Sequence, residues 1–342
     1  MKKDILVLGI ESSCDETSVA VVKNGREVLS NIIDTQIKIH EQFGGVVPEI
    51  ASRNHIEAIS RVAKLAIKEA GINLKDIDVI APAYGPGLVG ALLVGVSYAR
   101  GLAFALEKPL VGVNHLEGHI AANYITHQDL KPPFLCMLTS GGNTQIVQVK
   151  DYCDMTVLGR TRDDAIGEAF DKVARVVGLG YPGGPKVDKL AHEGKDTYDL
   201  PYPLDDKSYN FSFSGIKSAV INLVHNEKQR GNEINKEDLC TTFQNRVVTI
   251  LTKKTMRALK EYNVKNLVLA GGVAANSYLR KELTTACEEN NIAFSYPRMA
   301  YCTDNAAMIG AAAYYAYQKG IIANLELNAK AVDNLYNVPQ DE

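Results

Sequence analysis

The sequence predicts an α/β protein made of two copies of one domain plan. Three observations predict it: a meander of strands opens each half, a strand, Gly-rich turn and helix follow in each, and 342 residues exceed the usual size of a single core. In the first half, residues 5–10 form an apolar run and 11–16 a polar loop. Residues 17–22, a turn at Asn24-Gly25 and residues 27–33 follow, a pattern of antiparallel strands. The second half repeats this with strands at 134–139, 144–149 and 155–158, the first pair joined by the tight loop 140–143. Strand 79–83, Gly85-Pro86-Gly87 and an apolar helix over 89–106 in the first half match strand 266–270, Gly271-Gly272 and a helix from Asn276 in the second. This places an N-terminal lobe at 1–120, a C-terminal lobe with helical insertions at 121–330 and a frayed tail at 331–342, with the functional site between the copies.

Helices occupy most of the remainder. Residues 164–177 set Ile166, Phe170, Val173 and Val177 on one face, with Gly178 as C-cap. Residues 237–262 are long and amphipathic, and 304–319 form an Ala- and Tyr-rich helix with Thr303 at its N-cap position.

Composition removes several classes. Hydrophobic content of 46% and charged content of 23% exclude a mainly disordered chain. A net charge of -3 means that any nucleic-acid contact uses a local basic patch. Arg53, Arg61 and Lys64, and Arg160, Arg162, Lys172 and Arg175, read first as solvated helix faces. The six cysteines contain no CxxC pair and read as reduced, mostly packed thiols. The apolar run 5–10 stops at Glu11, too soon for a signal peptide, and the uncharged run 79–99 is interrupted by Gly85-Pro86-Gly87. The expectation is a cytoplasmic protein with no membrane partner.

Three Gly-rich turns point to a nucleotide. Ser140-Gly141-Gly142-Asn143-Thr144 offers backbone N–H groups between two strands, and the strand ending at Ala270 runs through Gly271-Gly272 into a helix N-terminus. Gly180-Tyr181-Pro182-Gly183-Gly184-Pro185 is stiff and Gly-dense. None is a P-loop or a strand-linked GxGxxG. An ATP-type nucleotide held without either motif points to the duplicated actin, sugar-kinase and Hsp70-like ATPase architecture.

His115 and His119 stand at i and i+4, on one helix face and within reach of one metal ion. Glu117 is out of HExxH order, which counts against a zinc metallopeptidase. A third ligand must come from elsewhere, and Asp304 at the head of the last helix is the candidate. His₂Asp with open positions suits Fe(2+) or Zn(2+). Glu11, Asp15 and Glu16 crowd the first inter-strand loop, where carboxylates serve as a proton acceptor or hold a cation. Cys14 between them reads as a small packed residue.

Gly9-Ile10-Glu11-Ser12-Ser13-Cys14-Asp15-Glu16-Thr17, Asn114-His115-Leu116-Glu117-Gly118-His119, Ser140-Gly141-Gly142, Phe211-Ser212-Phe213-Ser214-Gly215-Ile216-Lys217 and Ala270-Gly271-Gly272-Val273-Ala274-Ala275-Asn276 resemble the universal tRNA threonylcarbamoyladenosine transferase family, earlier labelled glycoprotein endopeptidases. The resemblance, to the bacterial type, runs from about residue 5 to about residue 320. It implies an actin-like fold. It also implies transfer of threonylcarbamoyl from threonylcarbamoyl-AMP to N6 of adenine 37 in tRNAs reading codons that begin with A, releasing AMP. By position it implies iron or zinc on His115, His119 and Asp304. The adenylate would lie against Leu138, Thr139, Ser140, Gly141, Gly142, Asp171, Gly184, Asp188 and Asn276, and Asp15 or Glu16 would take the N6 proton. Asn143 stands where many relatives have His. Implied partners are tRNA, an inactive paralogous subunit, a small P-loop ATPase and the synthase that supplies the donor. The competing readings are the HxxxH peptidase and a non-catalytic ATPase-type scaffold.

Overall fold

The structure, a computed structural model, describes residues 4–335. The described chain divides into two compact units, the first of residues 4–132, 150–155 and 297–335, the second of 133–149 and 156–296.

The first unit begins with β1 (Leu6–Glu11), β2 (Glu16–Lys23) and β3 (Glu27–Thr35), then the short α1 (Ile37–His40) and the long α2 (Pro48–Glu69). β4 (Val79–Gly85), α3 (Val89–Leu106), β5 (Val113–Asn114) and α4 (His115–Thr126) follow. Its sheet runs β3-β2-β1-β4-β5, antiparallel across the first three strands and parallel from β1 to β4 to β5. Every residue of β1 from Val7 is buried, because helices cover both faces of the sheet.

The second unit repeats the plan. β6 (Phe134–Thr139), β7 (Thr144–Asp151) and β8 (Asp154–Arg160) form its meander, although the β7–β8 turn at 150–155 belongs to the first unit. Then come α5 (Ile166–Val176), α6 (Gly183–Ala191), α7 (Ser214–Gln229), α8 (Lys236–Glu261), β9 (Asn266–Ala270), α9 (Ser277–Glu289) and β10 (Ala293–Ser295). The sheet order is β10-β9-β6-β7-β8, the same topology as the first sheet when read from β8. The duplication expected from the sequence is present strand for strand.

The chain then returns to the first unit as α10 (Ala306–Gln318). The expected boundary at 120 falls inside α4, and α10 does not belong with the second copy. The reason is local bonding: Ala306 N donates to Ser18 Oγ (2.9 Å) and Ala307 N to Asn31 Oδ1 (3.2 Å). Gly9 of β1 also has no room for a Cβ, which would run into the Ala306 carbonyl and lie 2.8 Å from Gly310 N. Turn 150–155 is held likewise, with Tyr152 stacked on Tyr315 at 3.8 Å between centroids, 2° from parallel. The tail expected to fray is pinned as far as it is described: Leu335 is buried and Asp333 makes two hydrogen bonds to core elements. Residues 336–342, the remainder of that tail, lie outside the described residues.

α3 is long and apolar enough to cross a membrane by composition alone, but Ala91, Leu92, Val96, Ala99 and Ala103 are buried within the first unit. Its apolarity is used, at least in part, for packing.

Candidate metal centre and nucleotide-binding residues

The metal candidate lies wholly in the first unit. Asn114 ends β5 in extended geometry, and its side-chain oxygen accepts from Leu116 N (2.9 Å), so α4 starts at His115. The i,i+4 spacing then brings the His115 and His119 rings to 4.6 Å between centroids, edge to face. Asp304 arrives from just before α10. The sequence places Thr303 as that helix's cap, but Asn305 fills the position: its Oδ1 accepts from Met308 N (3.1 Å), and its Nδ2 bonds the Thr303 carbonyl (2.8 Å). Asp304 therefore stands outside the helix with its carboxylate turned to the histidines. Its Oδ1 is 3.4 Å from His115 Nε2 and 3.2 Å from His119 Nε2, and ligand atoms from all three residues lie within 4.8 Å of one another.

Electrostatics agree with a cation-binding role. Burial would lower the His115 pKa, but Glu11 and then Asp304 outweigh it and hold it well above the ordinary value. His119 is lowered, by burial first, with the charge of His115 adding to it. Burial would raise Asp304, yet the adjacent imidazoles bring it far below the usual carboxylate range. His119 is 1% exposed, and although Nε2 is near Asp304, neither ring nitrogen makes an aligned hydrogen bond. Buried polar atoms of this kind call for a partner, and two imidazole nitrogens with one carboxylate oxygen form a donor set suited to Fe(2+) or Zn(2+).

Glu11, read from sequence only as one charge in an acidic loop, contacts this cluster directly. It is fully buried, and its Oε2 lies 2.9 Å from His115 Nδ1. Asp15 is 5% exposed, with no hydrogen-bond partner at Oδ2. Glu16 heads β2 and accepts from Thr35 Oγ1 (3.2 Å); burial, then the charges of Asp304 and Asp15, push its pKa well up. The flanks of this carboxylate pair are held by His55 on α2, which no spacing rule singles out. Its Nδ1 is 2.7 Å from Thr17 Oγ1 and its Nε2 2.9 Å from the Cys14 carbonyl. The Cys14 thiol is raised well above its normal value by burial and then by neighbouring carboxylates, as expected of a packed, unreactive cysteine.

The residues expected to hold an adenylate all lie in the second unit. Leu138 and Thr139 end β6, and Thr139 Oγ1 donates to the Ala270 carbonyl (3.2 Å). Ser140 N donates to the Asn143 carbonyl (2.7 Å) and Asn143 N to Ser140 Oγ (3.1 Å), closing a tight turn. Gly141 and Gly142 stand exposed on it, with open space where a Cβ would project. Gly271 follows β9 at φ 91°, its α-carbon against the Thr139 carbonyl, which seats the two Gly-containing turns together. Asn276 caps α9 through Leu279 N (2.8 Å) and donates to Gln244 Oε1 (2.8 Å).

The two aspartates also have structural work. Asp171 Oδ1 accepts from Gly183 N (2.7 Å), and burial raises its pKa against that N–H and the one from Gly184. Asp188 accepts from Ser277 N (3.0 Å) and Ser277 Oγ (2.9 Å). A carboxylate has about four acceptor positions, so each keeps capacity for a ligand hydroxyl. Gly184 lies on the first turn of α6 with open space beside it.

Comparison with known proteins gives these motifs a family. A tRNA N6-adenosine threonylcarbamoyltransferase of Clostridium novyi (strain NT) is 56% identical over 333 residues, 96% of this chain and 97% of that protein. Among solved structures, a phosphate- and nucleotide-bound HypF matches with a TM-score of 0.60 at 17% identity, over 93% of this chain and 55% of that one. Component A of the Acidaminococcus fermentans (R)-2-hydroxyglutaryl-CoA dehydratase matches at 0.52 and 14%, over 92% and 98%. These likenesses place the fold in the actin-like, sugar-kinase and Hsp70-like ATPase class. The sequence model of the TsaD family, tRNA N6-adenosine threonylcarbamoyltransferase, matches residues 27–311 and so takes in both histidines and Asp304. The chain belongs to that family.

Proposed function

We propose that this protein transfers a threonylcarbamoyl group from threonylcarbamoyl-AMP to N6 of adenine 37 in tRNAs that read codons beginning with A, with release of AMP. Kinship to a named transferase along nearly the whole chain carries this reading. The competing HxxxH peptidase lacks a glutamate in the HExxH position, and nothing favours a non-catalytic scaffold.

Adenine N6 is a weak nucleophile because its lone pair is delocalised into the ring. Rate must come from positioning it and from stabilising charge that develops on the carbonyl and on departing AMP. His115, His119 and Asp304 would hold one divalent ion, iron or zinc, which supplies Lewis-acid stabilisation of that charge. Ser140, Gly141 and Gly142 present a turn to the donor's phosphate, and Asp171 and Asp188 accept ribose hydroxyls. Gly184 and Asn276 flank the base, with Leu138 and Thr139 beneath the turn. The pair Asp15 and Glu16 accepts the N6 proton: Asp15 carries an oxygen with no hydrogen-bond partner, while Glu16 favours its protonated form. A tRNA substrate implies action in the cytoplasm. Helpers of the family's bacterial type, a paralogous subunit and a small P-loop ATPase, complete the proposed assembly.

The test is mass spectrometry of tRNA nucleosides after incubation with threonine, bicarbonate, ATP, the synthase, the helpers and this protein. Threonylcarbamoyladenosine should form, and chelator treatment should suppress it. Its absence from a fully supplied reaction overturns the reading, and full activity of Asp15→Ala combined with Glu16→Ala overturns the base assignment.

A further inference from the structure

We infer that Glu11 is the positioning carboxylate of the metal centre: it fixes the tautomer and ring angle of His115, leaving Nε2 as the ligand nitrogen and making the two histidines unequal ligands. This rests on the reading of His115, His119 and Asp304 as a metal site.

The geometry is specific. Glu11 is the last residue of β1, fully buried, and its two oxygens have separate tasks. Oε1 accepts from Ser13 N at 2.5 Å, which immobilises the carboxylate within its own turn. Oε2 is 2.9 Å from His115 Nδ1, and Ser13 Oγ is 3.2 Å from the same nitrogen. A carboxylate only accepts, so His115 Nδ1 must donate. The proton of the neutral ring is thereby assigned to Nδ1, and the lone pair remains on Nε2, the nitrogen that faces Asp304. Such a carboxylate–histidine pair raises the basicity of the ligand nitrogen and sets ring orientation.

His119 has no equivalent. Its Nδ1 is buried without a hydrogen-bond partner, so no carboxylate behind the ring fixes its tautomer. Charge points the same way. A divalent ion bound by two neutral imidazoles and Asp304 carries one net positive charge, and Glu11, one residue behind the ligand shell, cancels it. Beside two buried imidazoles an uncancelled charge is costly. Ser13 is the second positioning residue, because it locks the carboxylate through its N–H and touches the ring through its hydroxyl.

Glu11→Gln keeps size and one acceptor oxygen while removing the charge, and Ser13→Ala removes the hydroxyl alone. Titration of metal-free protein with Zn(2+) against a competing chelator gives the affinity. Absorption of the Co(2+)-loaded protein gives ligand geometry, and neither readout depends on transferase activity. Glu11→Gln should weaken Zn(2+) binding by roughly 10–100-fold and shift the Co(2+) d–d bands at unchanged stoichiometry. Ser13→Ala should shift both less. Unaltered affinity and bands in a folded Glu11→Gln protein overturn the inference while leaving the metal site standing. If the unsubstituted protein binds no Zn(2+), or His115→Ala binds it equally well, the metal site itself fails.

Discussion

Asp333 accepts a hydrogen bond from the side-chain amide of Asn114 (2.9 Å), the residue that caps α4. The same oxygen receives Tyr84 Oη at 2.6 Å. Two nearby backbone bonds, Lys330 N to the Tyr84 carbonyl (2.8 Å) and Gly87 N to the Ala331 carbonyl (3.2 Å), lay this late segment along the end of β4.

Asp333→Ala should therefore lower thermal stability although the residue lies far along the chain from the core strands. Two donors, buried Asn114 and half-buried Tyr84, lose this acceptor, worth about 1–3 kcal/mol. In a unit of this size that is roughly 2–4 °C of Tm for each kcal/mol. Differential scanning calorimetry reads it, and an unchanged Tm would show the segment to be dispensable.

Gly271→Ala should be among the most damaging single-methyl changes. The residue sits at φ 91°, and a Cβ would run into the Thr139 carbonyl. Backbone strain alone costs about 1–3 kcal/mol, before the clash. Chemical denaturation of the purified variant, or loss of soluble protein, measures it. Gly142→Ala is the control: open space surrounds that position, so stability should hold within about 0.5 kcal/mol.

His55 should make the first unit acid-sensitive. Burial lowers its pKa, so the unfolded chain takes up a proton at higher pH than the folded one does. The stability due to the neutral ring is complete above the unfolded value of about 6.5 and is lost as pH falls from there through the lowered folded value. Denaturation midpoints compared between about pH 7.5 and about pH 5.5 should fall further in the unsubstituted protein than in His55→Gln. Parallel curves would rule out His55 as the source.

Lys254 is a buried cation in the second unit. Its side chain is fully enclosed, paired with Asp206 at 2.8 Å and donating to the Asn210 carbonyl at 2.5 Å. Burial lowers its pKa and Asp206 opposes that shift. Asp206→Ala should cost more than Lys254→Met, roughly 2 kcal/mol against 1, because the first strands an ammonium and the second removes it. Urea unfolding of the two variants decides the order.

The sequence exposed the repeated strand plan because each strand is a short apolar run closed by a turn, and both sheets have that order. It also singled out His115, His119 and Asp304, which the structure brings together, since a four-residue helical spacing is readable and Asp304 stands just before a helix. Glu11 escaped because β1 is buried on both faces, so alternation could not separate a site-facing carboxylate from the charged loop after it. Thr303 and Asn305 are both capable caps, and only the bond to Met308 N distinguishes them. β5 is confined to Val113–Asn114, because Leu110 pairs with Ile80 and Ala323 through isolated bridges. The return of α10 to the first unit depends on contacts between chain ends that no local pattern records.

That return has a consequence for the nascent chain. Gly9 leaves room for backbone and nothing more, and the backbone that fills it is at Ala306 and Gly310. The first strand emerges early from the ribosome yet cannot complete its packing until Ala306 and Gly310 are made. The second unit, mostly continuous in sequence, has no such wait. A chain cut short before Asp304 therefore holds both imidazoles of the candidate metal centre without the carboxylate that completes the cluster.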